Sequence, residues 1–243
     1  MSLTKSDVYR KLEEKMLGYA DYENITVISE EDEVGFIPVK SSAVLIVKPI
    51  NTGATELTDG NVHLRSPVAD RLYWAGQELR NLDKSLQLEL VYGYRPLEVQ
   101  RKLFDEAKEA LANKYQDSQQ LIEAAHRRIA VPDVAGHPTG GAVDVQILRD
   151  SVEVEMGTPI WDFSHDSYTF SPFVSRDAWM NRQLLRRAMM AAGFAPFDGE
   201  WWHFSYGDKE WARFYDQPGA LYSQVAVADL PSRQDIAMLT EPR

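Results

Sequence analysis

Two stretches of the chain alternate between apolar and polar residues, which predicts β-strands. Residues 86–90 alternate leucine with glutamine and glutamate, and residues 142–148 place a valine or isoleucine at every second position. Side chains of a strand point alternately to opposite faces, so each segment has one apolar face. Asp144 then lies on the polar face of its strand. A short apolar run at 42–47 resembles a third, buried strand.

Other stretches place apolar residues at helical spacing. The clearest begins at Ser66-Pro67, a capping hydroxyl followed by proline at the first helical position. Another begins at Ser175 and is ended by Gly193. The pattern predicts helices over about 2–20, 66–82, 96–115, 118–129, 175–192 and 208–215.

Helices and strands are interleaved irregularly, without a repeated βαβ order. This predicts an α+β fold with a small, mainly antiparallel sheet packed against helices. A length of 243 residues suits one domain, at most two, and we expect a single domain over 1–243. Between the elements, 30–33 is expected to be a solvated turn and 52–61 a loop, and residues 217–243 a wrapping arm or tail.

Composition and charge narrow the range of partners. Acidic residues number 37 and basic residues 26, a formal charge of −11, which argues against a surface for nucleic acid or an anionic membrane. The chain has no cysteine, which excludes disulfides, thiolate metal sites and a cysteine nucleophile. No segment approaches the length of a membrane span, and none resembles a signal peptide. We therefore expect a cytoplasmic protein, or a periplasmic one if an export signal has been removed.

The first stretch with residues that could bind a metal or catalyse a reaction is Gly-His137-Pro-Thr-Gly-Gly-Ala-Val-Asp144. A glycine-rich loop allows the histidine to be aimed freely, whereas the aspartate is held on a strand. Imidazole and carboxylate are good zinc ligands. Taken alone, this spacing also occurs by chance.

The second stretch is Glu200-Trp-Trp-His203, in which a carboxylate and an imidazole could act as base and ligand. On a regular strand these two positions would face opposite sides. Glu200 is therefore expected in a bend before the strand, with Gly199 supplying permissive backbone. The alternative is a charged turn before an aromatic core strand.

The third stretch is Tyr92-Gly-Tyr-Arg95-Pro, where an arginine follows a buried strand and precedes a helix. A guanidinium held there suits bidentate recognition of a carboxylate or oxyanion. The alternative is an arginine paired with a nearby glutamate to hold the turn. The remaining histidines, at positions 63, 126 and 165, are expected to be structural or exposed.

Together, in this order, the three stretches resemble the zinc D-alanyl-D-alanine dipeptidase family of the VanX type, within the zinc peptidases that act on peptidoglycan. The resemblance extends to Met156-Gly-Thr158 and Asp162-Phe163 and covers about residues 60–216, which would be the catalytic core. Residues 1–59 would then form an N-terminal extension. The resemblance implies a Hedgehog/DD-peptidase-like zinc peptidase fold.

Carried over residue by residue, the resemblance assigns each motif a role. His137, Asp144 and His203 would hold one zinc ion per chain, leaving a fourth position for water. Glu200 would be the catalytic base and Arg95 would stabilise the transition state. Asp162 would bind the free ammonium of the substrate. Family members often carry serine just before the first ligand, where this chain has Ala135-Gly136.

The resemblance thus predicts a zinc-dependent hydrolase of D-Ala-D-Ala or a related small dipeptide. One alternative is a peptidoglycan D,D-carboxypeptidase or endopeptidase with the same metal chemistry. Another is a non-catalytic zinc or ligand-binding module on the same fold. Intact Glu200 and Arg95 favour an enzyme, because a binding module does not need both.

Overall fold

A mixed sheet of six strands organises the protein. The computed structural model describes residues 3–28, 35–50 and 60–230. The predicted turn at 30–33, most of the 52–61 loop and the tail beyond 230 lie outside the described residues. The described strands are β1 (Phe36–Pro38), β2 (Leu45–Val47), β3 (His63–Arg65), β4 (Leu86–Tyr92), β5 (Ala142–Arg149), β6 (Val152–Glu153), β7 (Ala195–Pro196) and β8 (His203–Ser205).

The sheet runs in the order β2-β4-β5-β8-β7, and β6 pairs with the far end of β5. Only the β2–β4 pair is parallel; the other pairs of this sheet are antiparallel. Strands β1 and β3 form a separate antiparallel pair. With the helices described next, this confirms the predicted α+β class and the mainly antiparallel sheet.

Seven α-helices surround the sheet among the described residues. They are α1 (Lys5–Glu13), α2 (Tyr19–Tyr22), α3 (Ser66–Leu82), α4 (Leu97–Leu111), α5 (Ser118–His126), α6 (Arg176–Ala191) and α7 (Lys209–Phe214). The charged segment predicted as one helix over 2–20 is therefore two. No helix in these ranges is long and apolar enough to cross a membrane.

The helix boundaries test the predicted caps. The Ser175 hydroxyl accepts a hydrogen bond from the backbone N–H of Ala178 at 3.1 Å, and Gly193 has a φ of 87°, as predicted for the two ends of α6. The predicted cap at Ser66 is wrong. Arg65 is the N-cap of α3 and makes no side-chain cap, because Ser66 already lies inside the helix.

The apolar faces of β4 and β5 form the core with α3 and α6. Members of this core include Leu72, Leu79, Leu88, Leu90, Val143, Val145, Ile147, Leu185 and Met189. The opposite face of the sheet carries Glu89, Gln146 and Asp144. Glu89 and Gln146 are direct neighbours in register, and the amide of Gln146 donates to the Glu89 carboxylate at 2.5 Å. Both are buried, so β4 is more deeply covered than the half-buried strand that its alternation predicts.

Candidate metal and active site

Three side chains converge at the polar face of the sheet. Asp144 on β5 is directly opposite His203 on the antiparallel strand β8, so both side chains project from the same face. His137 lies on the short turn that leads into β5. The distance from Asp144 Oδ1 is 3.5 Å to His137 Nε2 and 3.1 Å to His203 Nδ1. Their candidate ligand atoms all lie within 4.8 Å of one another.

The contacts around these three residues fit a zinc ion. His137 Nδ1 lies 2.7 Å from the carbonyl oxygen of Gly93, which can only accept, so Nδ1 carries the hydrogen and Nε2 presents its lone pair to the centre. Asp144 Oδ2 accepts a hydrogen bond from the indole N–H of Trp161 at 2.9 Å. Two imidazoles and a carboxylate, oriented by such outer contacts, are a typical donor set for catalytic zinc.

The charge states of the three groups also suit a cation. Burial lowers the pKa of His137 to about 4, so its imidazole is neutral at physiological pH. Burial alone would raise the pKa of Asp144, but His137 and His203 hold it well below its usual value. Burial opposes the charged form of His203 as well, yet the hydrogen bond with Asp144 raises its pKa to about 9. A metal ion would therefore displace a proton from His203.

Glu200 lies in a turn before β8, as its spacing from His203 predicts. Its N–H donates to the carbonyl of Phe197 at 3.0 Å, and its own carbonyl accepts from the N–H of His203 at 3.2 Å. Glu200 lines the same cleft as the three candidate ligands. Burial raises its pKa to about 8, so this carboxylate is an unusually strong base.

Gly199 contributes differently from the prediction. Its φ is not positive, so the backbone conformation at this position does not require glycine. Instead, a Cβ at this position would lie 2.8 Å from the ring of Phe197. The absence of a side chain lets that ring pack against the turn that carries Glu200.

Arg95 lines the cleft and is held by two neutral partners. Its Nε donates to the Tyr92 hydroxyl at 3.2 Å, and one terminal nitrogen donates to the Gln100 side-chain oxygen at 2.8 Å. Gln100 is anchored in turn by donating to the carbonyl of Ala130 at 2.7 Å. No carboxylate in the described ranges is within ion-pair distance of Arg95, so the alternative of a turn-holding glutamate is wrong. Its positive charge acts on Glu200 in the same cleft, where it opposes the rise in pKa that burial causes.

Asp162 is not brought into the cleft, although Trp161 and Phe163 on either side line it. Its carboxylate accepts from the backbone N–H of Ser164 at 2.8 Å. The three histidines outside the triad are either buried or exposed, as expected. His63 and His126 are buried, and the exposed His165 lies 3.3 Å from Glu13.

Among the cleft residues that the sequence did not single out are Trp161, Phe197 and Glu210. They lie in the loop after β6, directly after β7 and on α7, and none of them belongs to a motif of ligands or catalytic residues. Trp161 left one trace, since the run Pro159-Ile160-Trp161 does not fit the usual family spacing. Its φ of 64° places a bulky residue in the left-handed region.

Comparison with known proteins gives matches of three kinds. A family model described as D-ala-D-ala dipeptidase, of the M15 peptidases, matches residues 75–224. A curated D-alanyl-D-alanine dipeptidase from Synechocystis sp. is 28% identical over 218 residues, covering 78% of this chain and 88% of the relative.

Among solved structures, a zinc complex of the vancomycin-resistance D,D-pentapeptidase VanY aligns with a TM-score of 0.39 and 18% identity, covering 81% of this chain and 95% of that one. The LdcB LD-carboxypeptidase aligns with a TM-score of 0.44 and 17% identity, covering 78% of this chain and 76% of that one. The family match spans Arg95, the triad and Glu200.

Proposed function

Because the chain belongs to the D-Ala-D-Ala dipeptidase family of M15 metallopeptidases, we propose that it hydrolyses D-Ala-D-Ala or a related small dipeptide in a zinc-dependent reaction. The observation that carries this proposal is the triad of His137, Asp144 and His203 with Glu200 in the same cleft. The triad would hold one zinc ion per chain. When bound, zinc supplies an activated water and polarises the carbonyl of the scissile bond.

Glu200 is the proposed general base. It accepts a proton from the attacking water and later delivers it to the leaving amine. A base is most effective when its pKa lies near the working pH, and burial moves the pKa of Glu200 into that range. Backbone hydrogen bonds on both sides hold the turn that carries Glu200 next to His203.

Arg95 is proposed to stabilise the negative charge that develops on the carbonyl oxygen. Its two hydrogen bonds to Tyr92 and Gln100 hold the guanidinium plane in place before substrate arrives. A donor that is already oriented needs little reorganisation during the reaction, which is the source of its effect on rate.

Recognition of the substrate's ammonium by Asp162 remains a prediction from the resemblance. The Asp162 carboxylate would have to turn from the Ser164 N–H towards the cleft. Replacing Asp162 with asparagine should raise KM for a free dipeptide and leave kcat nearly unchanged. An unchanged KM would remove Asp162 from the site.

The test is release of D-alanine from D-Ala-D-Ala by zinc-loaded protein, beside chelator-treated protein and the Glu200→Gln variant. We expect cleavage only by the zinc-loaded wild type, and zinc binding by the variant at the same stoichiometry. Turnover by Glu200→Gln would overturn the assignment of the base.

A second substrate separates the dipeptidase from the carboxypeptidase alternative. An N-acylated D-Ala-D-Ala peptide should remain intact if a free ammonium is required. Its cleavage would instead identify a D,D-carboxypeptidase. If neither substrate is cleaved by zinc-loaded protein, the proposed substrate class is wrong.

A further inference from the structure

One stretch of the resemblance, Met156-Gly-Thr158, has no role in the proposed reaction. Thr158 does not line the cleft of the triad, but its hydroxyl oxygen has three hydrogen-bond partners. The indole N–H of Trp201 donates to Thr158 Oγ1 at 3.0 Å, and a guanidinium nitrogen of Arg182 donates to it at 3.3 Å. These two donors use both lone pairs of the hydroxyl, so its own hydrogen donates to Ser167 Oγ, 2.9 Å away. Every hydrogen-bonding position of the Thr158 hydroxyl is therefore occupied.

The Thr158 network, which we define as this hydroxyl and its three partners, is closed to solvent on the partners' side. Ser167 and Arg182 are 0% exposed, and Trp201 is 1% exposed. A buried donor that loses its acceptor cannot turn to water instead, and leaving it unpaired is costly. The hydroxyl is therefore a fixed acceptor for two N–H groups that come from two different parts of the chain.

One branch of the Thr158 network reaches the turn that carries Glu200. Trp201 follows Glu200 directly in the chain, and its backbone N–H donates to the carbonyl of Ser167 at 3.2 Å. Its indole N–H is the donor to Thr158. The residue next to the proposed base is therefore held through both its backbone and its side chain, and the side-chain contact depends on a single hydroxyl.

The other branch reaches the turn that carries Trp161. The N–H of Asp162 donates to the carbonyl of Pro159 at 3.3 Å, so this turn begins directly after Thr158. Within the turn, the indole N–H of Trp161 donates to the candidate ligand Asp144. A displacement of Thr158 would thus shift the start of the turn that brings this donor to the metal site.

Arg182 ties the Thr158 network to α6. Its guanidinium donates to the carbonyl oxygens of Met156 at 2.7 Å, Asp166 at 2.7 Å and Tyr168 at 2.8 Å. The first of these precedes Thr158 by two residues, and the other two flank its serine partner. Both loops of the network are therefore attached to one helix of the core, which gives the hydroxyl a fixed position.

We propose that Thr158 is a positioning residue of the active site, whose hydroxyl holds the turn of Glu200 and the turn of Trp161 in one arrangement. The inference rests on the proposed peptidase function and adds to it a residue that does not line the metal cleft. A displacement of about 1 Å costs a catalytic group up to about 100-fold in rate. Because Thr158 lies outside the cleft, its loss should lower kcat and zinc affinity and leave KM nearly unchanged.

The test uses two substitutions at the same position. Thr158→Val removes the hydroxyl and keeps the branched shape of the side chain, whereas Thr158→Ser keeps the hydroxyl. Thr26→Val, at an exposed threonine, is the matched control. For each zinc-loaded variant, kcat and KM for D-Ala-D-Ala are measured well below its melting temperature. The zinc dissociation constant is measured by competition with a chelator.

We expect Thr158→Val to lower kcat about 10- to 100-fold and to change KM less than about twofold. Its zinc dissociation constant should rise about 3- to 10-fold, which is less than the effect of losing a direct contact to a ligand. Thr158→Ser should keep kcat and zinc affinity within about threefold of wild type, because the acceptor remains.

Two results would refute the proposal. The first is equal kcat and zinc affinity in Thr158→Val and Thr26→Val, even if Thr158→Val melted at a lower temperature, because the hydroxyl would then only stabilise the fold. The second is a loss in Thr158→Ser as large as that in Thr158→Val, because the serine variant keeps the acceptor.

Hydrogen exchange of the zinc-free protein tests the same network without turnover. The backbone amides of Trp201 and His203, which are hydrogen-bonded, should exchange about 5- to 10-fold faster in Thr158→Val than in wild type. Trp201→Phe, which removes the indole donor and keeps an aromatic ring, should give the same increase, and it serves as the test variant if Thr158→Val folds poorly. Unchanged exchange would refute the proposal. Failure of the wild type to cleave any dipeptide would instead count against the proposed function, and the exchange and zinc results would still decide the role of Thr158.

Discussion

The hydrogen bond from Trp161 to Asp144 gives the sharpest prediction about the metal site. Trp161→Phe removes the indole N–H but keeps an aromatic ring, which can still pack edge-on against Tyr92, where the two rings now lie 5.6 Å apart. Tryptophan and phenylalanine are both bulky aromatic residues, so the left-handed backbone at position 161, with a φ of 64°, places the same demand on either. The substitution therefore tests one hydrogen bond rather than the shape of the loop.

The size of the effect follows from the burial of Asp144. The carboxylate is 1% exposed, and Trp161 is the donor to its Oδ2 at 2.9 Å. Loss of an outer contact to a metal ligand typically weakens metal binding about 10- to 100-fold. Leaving a buried oxygen without a donor costs about 1–3 kcal/mol, which is the same range. We therefore expect zinc affinity to fall by about one to two orders of magnitude.

The assay is competition for zinc against a chromophoric chelator, with Trp74→Phe as the matched control. Trp74 is 58% exposed on α3 and makes no contact with the triad. The reasoning would be refuted if the zinc dissociation constants of the two variants agreed within about twofold. That difference is far below the loss of affinity expected when a hydrogen bond to a metal ligand is removed.

Three further predictions test separate parts of the structure. Arg95→Lys should lower kcat by about 10²–10³-fold without changing the zinc stoichiometry, because lysine cannot reproduce the oriented N–H donors of the guanidinium. A smaller loss in steady-state kinetics would argue against a role of Arg95 in stabilising the oxyanion. Gly136→Ala should lower the free energy of unfolding in urea by about 1–3 kcal/mol, because its Cβ would meet Asp208, whereas Gly35→Ala, which meets nothing within 4 Å, should not. Burial lowers the pKa of His126 to about 4. As the pH falls, the unfolded chain therefore takes up this proton before the folded protein does. The free energy of unfolding should decrease by up to about 3 kcal/mol between about pH 6.5 and pH 4. Urea titrations of wild type and His126→Gln across this range check the result, and equal pH dependence in both would exclude His126 as the cause.

The pH prediction rests on a neutral histidine that joins two helices. His126 Nδ1 accepts from the N–H of Val131 at 3.1 Å, so Nε2 carries the hydrogen and donates to the Tyr22 hydroxyl. Protonation of Nδ1 would turn the acceptor into a donor facing another donor. The hydrogen bond between Val131 and the end of α5 therefore forms only while His126 is neutral.

Local periodicity in the sequence predicted the elements that have a strong repeat. The alternation in β5 and the hydroxyl cap of α6 depend on neighbouring residues alone, so the sequence was sufficient to predict both. The bend at Glu200 was also predictable, because an acid and a ligand three residues apart cannot share a face of a strand. The cap of α3 was mispredicted because Pro67 fits equally well at the first or second helical position.

The motifs determined which residues are candidates for chemistry, but not what surrounds them. Trp161, which donates to Asp144, and Ala130, which anchors Gln100, lie far away in the sequence, and such contacts depend on how the helices and loops pack around the sheet. The same packing leaves Asp162 at the edge of the cleft and buries Glu210 in its wall. Sequence thus determined the identity and order of the candidate metal ligands, whereas tertiary structure decided the electrostatics of the cleft, since burial and distance set the energy of a charge.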